Sequence, residues 1–399
     1  VARLTPLHSR TGALCKGSRW EEWSGFLAAR MYALDHLHEY NAIRSGCALF
    51  DVSPLLKYDI RGRDAHALMD RVVVRDVSSC RIGQVLYTTW CDDDGKVIDD
   101  GTLSRLSEDH FRMTSAVRAL HWLQDNAVGL DVEIEDVSEQ YAAVSLQGPT
   151  SRDLLRRLGA TELEGLRFFR CTQGHVAGVS ALISRTGYTG DLGYELFVRP
   201  DDAEKIWDSI TELGDDYQMC QAGTVALDLA RIEAGLLLLD ADFVSAAQTM
   251  FDVQKTSPYD LGLHWMVDLD KEFFVGQSAL RREKEVGSRW NTVGLELDVT
   301  ALEKFYAKYD MPLHLPHQAW SDAVPVYADE AQTQHIGRGT SGMWSSTLKK
   351  YIVMARLKPE YAKLGKRIFI EEMIEAVSHS VPATVVKMPF FDPPRKKQT

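Results

Sequence analysis

The stretch Arg185-Thr186-Gly187-Tyr188-Thr189-Gly190-Asp191-Leu192-Gly193-Tyr194-Glu195-Leu196 governs how the rest of the chain is read. Its glycines permit positive φ and close backbone approach that other residues forbid. Residues 179–184 (Val-Ser-Ala-Leu-Ile-Ser) have strand composition, and residues 194–198 have it again. The pattern predicts a strand, a tight glycine-built loop, and a second strand carrying Glu195. A ligand can press against such a loop with Glu195 at its edge. An ordinary hairpin with a solvated glutamate fits the same residues, and on this stretch alone it is the commoner outcome.

A second strand pair lies upstream. Gln84-Val85-Leu86-Tyr87-Thr88-Thr89-Trp90-Cys91 has strand composition, and Asp92-Asp93-Asp94-Gly95 reads as a hairpin turn because Asp-Gly supplies positive φ cheaply. The partner strand, residues 96–103, contains Asp99 and Asp100 in its interior. Strand neighbours point to opposite faces, so one of the two aspartates is expected inward and the other outward. Aspartate is a poor strand former, so an inward one asks for a reason. An edge strand with both groups solvated, or a structural hydrogen-bonded aspartate, remains open at this point.

Helical spacing of apolar residues covers 34–44, closed by Asp51-Val52-Ser53-Pro54, and recurs over 64–73, 150–158, 202–213 and 276–284. Ala222-Gly223 opens a further helix through Glu233, on which Asp228 and Arg231 share a face and can form a surface ion pair. Residues 261–267 read as strand. From about Trp290, short β-like runs at 293–297, 324–327, 351–357, 367–371 and 383–386 predict a separate all-β domain. The basic residues after Pro394 read as a solvated end, or, at Arg395 and Lys396, as cations within reach of an anionic ligand tail.

Composition narrows the function. The 399 residues suggest two or three domains, and a net charge of −12 argues against nucleic-acid backbone binding. Six scattered cysteines without a Cys-x-x-Cys pair argue against a metal centre or disulfide framework and for a reducing cytoplasm. His314 and His317 sit close together but lack a third ligand nearby, so no metal is expected. No apolar run is long enough for a bilayer, so no membrane association is expected.

Read together, the segments resemble the tetrahydrofolate-dependent aminomethyltransferase family, the T-protein of the glycine cleavage system and its relatives. The matching motifs are residues 46–53 (Gly-Cys-Ala-Leu-Phe-Asp-Val-Ser), Gly95 to Asp100, Gln147-Gly148-Pro149, the 185–195 stretch, Arg231-Ile232-Glu233-Ala234-Gly235, residues 274–280, and Thr340-Ser341-Gly342. They occur in family order along nearly the whole chain. The resemblance implies an α+β, three-domain cloverleaf around a central folate channel. Two mixed α/β domains interleave (1–55 with 140–240, and 56–139 with 241–285), and 286–399 forms a C-terminal β-barrel-like domain. It implies tetrahydrofolate as cofactor and Asp100 as the catalytic residue, a carboxylate beside the pterin N5 that accepts its proton. Glu195 would hold the pterin ring as a bidentate acceptor, with Tyr87 and Tyr188 near the ring, Trp265 as an aromatic wall, and Arg231 in the channel facing an anionic folate tail or substrate carboxylate.

Several positions depart from the family pattern. Pro54, followed by Leu55, stands in place of the histidine after Asp-Val-Ser, and Leu238-Leu239-Asp240-Ala241-Asp242 replaces the usual segment after the Arg231 helix. Insertions lie around 244–253 and 301–316. The changes are expected on the donor side, with Leu55 and Asp99 facing the substrate. They point to a demethylase-type enzyme that takes a methyl or methylene group from a small methylated molecule. The alternatives are a glycine cleavage aminomethyltransferase served by a lipoyl carrier protein, and a non-catalytic folate-binding protein.

Overall fold

The computed structural model describes residues 2–15 and 19–398. Its strands form a small hairpin, two larger sheets and a closed barrel. The six-stranded sheet runs Cys171–Val176, Val179–Ser184, Gly193–Val198, Ala142–Gln147, Cys47–Asp51, Met219–Gln221. It is antiparallel except for the last pair. The five-stranded sheet runs Val85–Cys91, Val97–Ser107, His110–Ser115, Leu56–Arg61, Glu133–Asp136. The barrel is closed by Asn291–Leu297, Lys350–Leu357, His335–Ser345, Val324–Tyr327, Arg367–Ile374 and Val377–Val386. Among the described residues no helix is long and apolar enough to cross a membrane.

Local chemistry explains the elements. Helix Pro200–Gly214 starts with proline and carries Asp201 and Asp202 in its first turn, where a fixed φ and negative charge suit the orphan N–H groups. Ala203, Ile206, Trp207 and Ile210 repeat at three- and four-residue spacing and bury against the six-stranded sheet. Helix Thr224–Glu233 differs: its last turn buries Arg231 and Glu233, and both reach the barrel strand His335–Ser345. Charged residues at this helix end therefore join the barrel to the rest of the molecule.

Four expectations are corrected. The helix expected over 34–44 spans His36–Ser45 and stops at Gly46, not at Asp51. Cys47–Asp51 is a strand whose first four residues are buried, so it lacks the alternation that marks a half-buried strand. Residues 261–267 form turns around the short helix His264–Met266, with Leu261, Leu263 and Met266 buried by packing rather than by a ladder. Strand His335–Ser345 escaped the composition reading because of its glycines. A Cβ on Gly337 would lie 2.1 Å from the Arg356 carbonyl, and one on Gly342 would lie 2.3 Å from the Trp320 ring. The basic C-terminal end is not free: Arg395 donates from Nε and Nη2 to Asp191, each at 2.7 Å.

The strand that carries Asp99 and Asp100 has one such close approach at its next residue. A Cβ on Gly101 would sit 2.0 Å from the Thr114 carbonyl on the neighbouring strand. Gly101→Ala should cost about 3 kcal/mol of stability through forced strand separation. Urea unfolding would show the lowered midpoint, and an unchanged midpoint would mean the strands are not this close.

Candidate active site

The two sheets and the barrel side enclose a cavity of about 460 Å³. Its wall takes Tyr87 and residues 99–102 from the five-stranded sheet, and Ser145, Glu195 and Phe197 from the six-stranded sheet. It also takes residues 186–188 from the glycine loop, Asp228 and Arg231 from the helix, residues 236–239, and Gln318 and Ala319 at the barrel. Trp23, Glu21 and Glu22 of the hairpin strand Trp20–Trp23 complete the rim.

Asp99 and Asp100 both line this space, so the expected split between core and solvent does not occur. Tyr87 pairs with Thr102 across the ladder, and its hydroxyl reaches diagonally to donate to Asp100 Oδ2 at 2.6 Å. Asp99 is fully buried and turns the other way. Its Oδ2 accepts the N–H groups of Ala116 and Val117 at 2.8 and 2.7 Å, while its Oδ1 has no hydrogen-bond partner. No ion pair reaches either carboxylate among the described residues. Burial accordingly pushes both upward, Asp100 to about 6 and Asp99, which also faces the charge of Asp100, to about 8.

The glycine loop is built around one amide. Gly187 and Gly193 flank the Gln147 side chain so closely that a Cβ on either would lie 2.0 or 2.1 Å from Gln147 Oε1. The Gln147 amide donates to Ser145 Oγ at 3.0 Å and to the Thr186 carbonyl at 3.1 Å, and accepts from Thr189 Oγ1 at 3.0 Å. Thr186 is thereby fixed, and its hydroxyl donates to Glu195. Burial raises Glu195; the Thr186 hydroxyl and the nearby Lys57 oppose this. Lys57, which sequence reading passed over, is fully buried and pushed down to about 7 by burial. Its Nζ donates to the Ser53 and Leu55 carbonyls at 2.9 and 2.7 Å and so sets the backbone that puts Leu55 in the cavity wall.

The remaining expected residues separate. Tyr188 lines the cavity and donates its hydroxyl to the Leu237 carbonyl. Trp265 is not part of the wall: it is 56% exposed, its ring lies 6.4 Å from that of Tyr87, and the Arg75 guanidinium sits 5.3 Å from its centroid. Arg231 touches the cavity but does not form the surface pair with Asp228 that sequence alone allowed. It is completely buried and donates to Asp228 at 2.7 Å, to Ser341 at 2.8 Å and to Asp242. Burial works against its charge, but the two carboxylates outweigh this and hold it protonated. Asp242 was visible in the sequence only as a departure from pattern; it accepts as well from Thr340 and Ser341. Of the insertions, 301–316 contributes helix Val299–Ala307, packed on the barrel, and leads to Gln318 and Ala319 at the cavity. The 244–253 insertion is outside the wall: Ala246 bonds to Val97, and Met250 and Phe251 are exposed.

Residues 7–271 match the family model of the GCVT N-terminal domain, and residues 313–392 match that of the glycine cleavage T-protein C-terminal barrel domain. The chain belongs to the glycine cleavage T-protein family. As a T-protein family member it binds tetrahydrofolate and transfers one-carbon units. It is 33% identical to an aminomethyltransferase of Halothermothrix orenii over 94% of this chain and 96% of that one. It is also 33% identical to a trimethylamine-oxide aldolase of Ruegeria pomeroyi, over all of this chain and 48% of that one. The structure of glycine cleavage system aminomethyltransferase T from Bartonella henselae aligns with a TM-score of 0.82 at 22% identity, covering 98% of this chain and 99% of that one, which establishes the shared fold.

The T-protein cavity fits a reduced pterin. It offers half-buried carboxylates on its wall at Glu195 and Asp100, with the rings of Tyr87 and Tyr188 beside them. Arg231, held on every side by protein, tests as structure: Arg231→Ala should cost about 3–5 kcal/mol by leaving Asp242 buried and unpaired. Denaturant unfolding reads this directly, and a variant as stable as the parent would free Arg231 for a ligand role.

Proposed function

We propose that this T-protein family member takes its one-carbon unit from a small methylated molecule and delivers it to N5 of tetrahydrofolate, as a demethylase-type transferase. The observation that carries the reading is the stretch of cavity wall made of residues 236–239 with Gln318 and Ala319, which includes part of the 238–242 segment and follows the 301–316 insertion, both departures from the family pattern. Leu55, which follows the Pro54 that stands where the family has a histidine, adds an apolar surface to that wall. The likeness to a trimethylamine-oxide aldolase over the full chain agrees with it.

Bound tetrahydrofolate supplies the nucleophilic nitrogen. Glu195 accepts the paired N–H donors of the pterin edge, with Thr186 fixing its orientation. Tyr87 orients the Asp100 carboxylate, which takes the N5 proton and offsets positive charge as it develops. Asp100 must be ionised for this, so its raised affinity for a proton places the base near working pH. A second reading, glycine cleavage with a lipoyl carrier, draws support from the aminomethyltransferase relatives.

Incubating the protein with tetrahydrofolate and either a lipoylated carrier or a panel of N-, O- and S-methyl compounds decides between them. Methylated folate should form with a free donor; turnover confined to the carrier would overturn the proposal. Asp100→Asn should lower turnover by roughly 10²–10⁴-fold while folate binding persists. In the parent protein, kcat/KM should rise with pH through about 6 as Asp100 loses its proton, and the variant should lose that rise. A pH profile unaltered by the substitution would remove Asp100 from the base role.

A further inference from the structure

The Gln147 amide holds the glycine loop from within. A second set of contacts holds it from outside, through residues that do not line the cavity. After the last barrel strand, Val377–Val386, the chain leaves the barrel. The Phe391 N–H donates to the Glu233 carbonyl at 2.8 Å, and the short helix Pro394–Lys396 follows.

Two arginines tie this segment to the loop, one from each side. Arg395 donates from Nε and Nη2 to the two oxygens of Asp191, each at 2.7 Å, and the Asp191 side chain is fully buried. This is the bidentate geometry in which a guanidinium fixes a carboxylate in direction as well as distance. Arg185, buried at the other end of the loop, returns the contact. Its Nη2 donates to the Lys396 carbonyl at 3.0 Å and to the Gln398 carbonyl. Arg185, Asp191 and Arg395 all lie outside the cavity lining.

The stretch between the two anchors is the one the cavity uses. Thr186, Gly187 and Tyr188 line it, and the Thr186 hydroxyl donates to Glu195. Pairing of the flanking strands ends at Ser184 and Glu195, which leaves residues 185–192 outside the ladder. A loop outside a ladder samples several shapes unless side chains fix it.

We propose that Arg395 and Arg185 are positioning residues for folate: their reciprocal clasp fixes both ends of the glycine loop and so holds Thr186 and Tyr188 in the shape that receives the pterin. The inference rests on the reading that the pterin lies between this loop and Asp100. A loop that keeps the receptive shape only part of the time binds more weakly in proportion.

Calorimetric binding of tetrahydrofolate to the full chain, paired with amide hydrogen exchange of the free protein, tests this. Arg395 is 38% exposed, and Arg44 keeps a cation 3.4 Å from Asp191, so Arg395→Gln should fold. It should raise the tetrahydrofolate Kd about tenfold, as for a loop receptive about a tenth of the time. Arg395→Lys, which keeps the charge without the fork, should recover part of the loss. Exchange should quicken over residues 186–192 while the strands Cys47–Asp51 and Ala142–Gln147 stay as protected as in the parent. Binding of tetrahydropteroate, which lacks the glutamate, should weaken by the same factor. Weakening confined to tetrahydrofolate would mean that Arg395 meets the anionic tail of the ligand, and would overturn the inference. An unchanged Kd would overturn it too, as would faster exchange throughout the chain, the mark of general destabilisation. Glu195→Gln separates this inference from the reading beneath it. Parent-like folate binding by that variant would defeat both; weak binding by it, with Arg395→Gln unaffected, would defeat the clasp alone.

Discussion

Two adjacent carboxylates, Asp99 fully buried and Asp100 half-buried on the cavity wall, with no ion pair to either among the described residues, are the constraint on which this structure turns. Two adjacent aspartates in a strand ordinarily divide between core and solvent. Here the strand Val97–Ser107 runs between a cavity and a packed sheet, so neither side chain escapes. Tyr87 gives one hydrogen bond to Asp100, and two peptide N–H groups serve one oxygen of Asp99. The other oxygen of Asp99 has no hydrogen-bond partner among the described residues. Raised proton affinity follows from burial, and a base suited to near-neutral pH follows from that.

The architecture protects this arrangement by spending its cations elsewhere. Arg231 and Arg44 bind carboxylates that join sheets, helix and barrel: Arg231 holds Asp228 and Asp242, and Arg44 donates to Glu233 at 2.6 Å. Glu233 in turn accepts from Tyr40 and Ser345. The end of helix Thr224–Glu233 is thus a polar junction, and the C-terminal Arg395 adds a clasp on Asp191 of the glycine loop. A cavity whose walls come from separate sheets stays defined because buried ion pairs fix how the pieces meet. Such pairs specify geometry more reliably than they add stability.

Much of this was legible in the residues. The Asp-Gly hairpin, the glycine loop before Glu195 and the late run of short strands were readable because turn chemistry and alternation are local signals. The order of motifs carried the family, the three-part fold and the folate cofactor. What stayed hidden has one physical root: partners distant in sequence. Nothing near Arg231 announces that Asp242 and Ser341 will enclose it, and nothing near Lys57 tells that its ammonium will hold the Leu55 backbone. The strand Cys47–Asp51 was missed because burial removes the alternation that betrays a strand, and His335–Ser345 because its glycines serve close approach rather than turns. Trp265 shows the reverse case, an aromatic at a matching position that lies outside the cavity lining although its ring neighbours that of Tyr87.

The central claim is geometric: the two acids on different sheets grip one pterin, Glu195 by its edge and Asp100 at its reacting nitrogen. A crystal structure with tetrahydrofolate bound tests it most directly. The account predicts the pterin in the cavity, its amino edge on the Glu195 carboxylate and N5 within hydrogen-bond reach of Asp100. A folate lodged elsewhere, or one whose N5 faces away from Asp100 with Glu195 free, would contradict it.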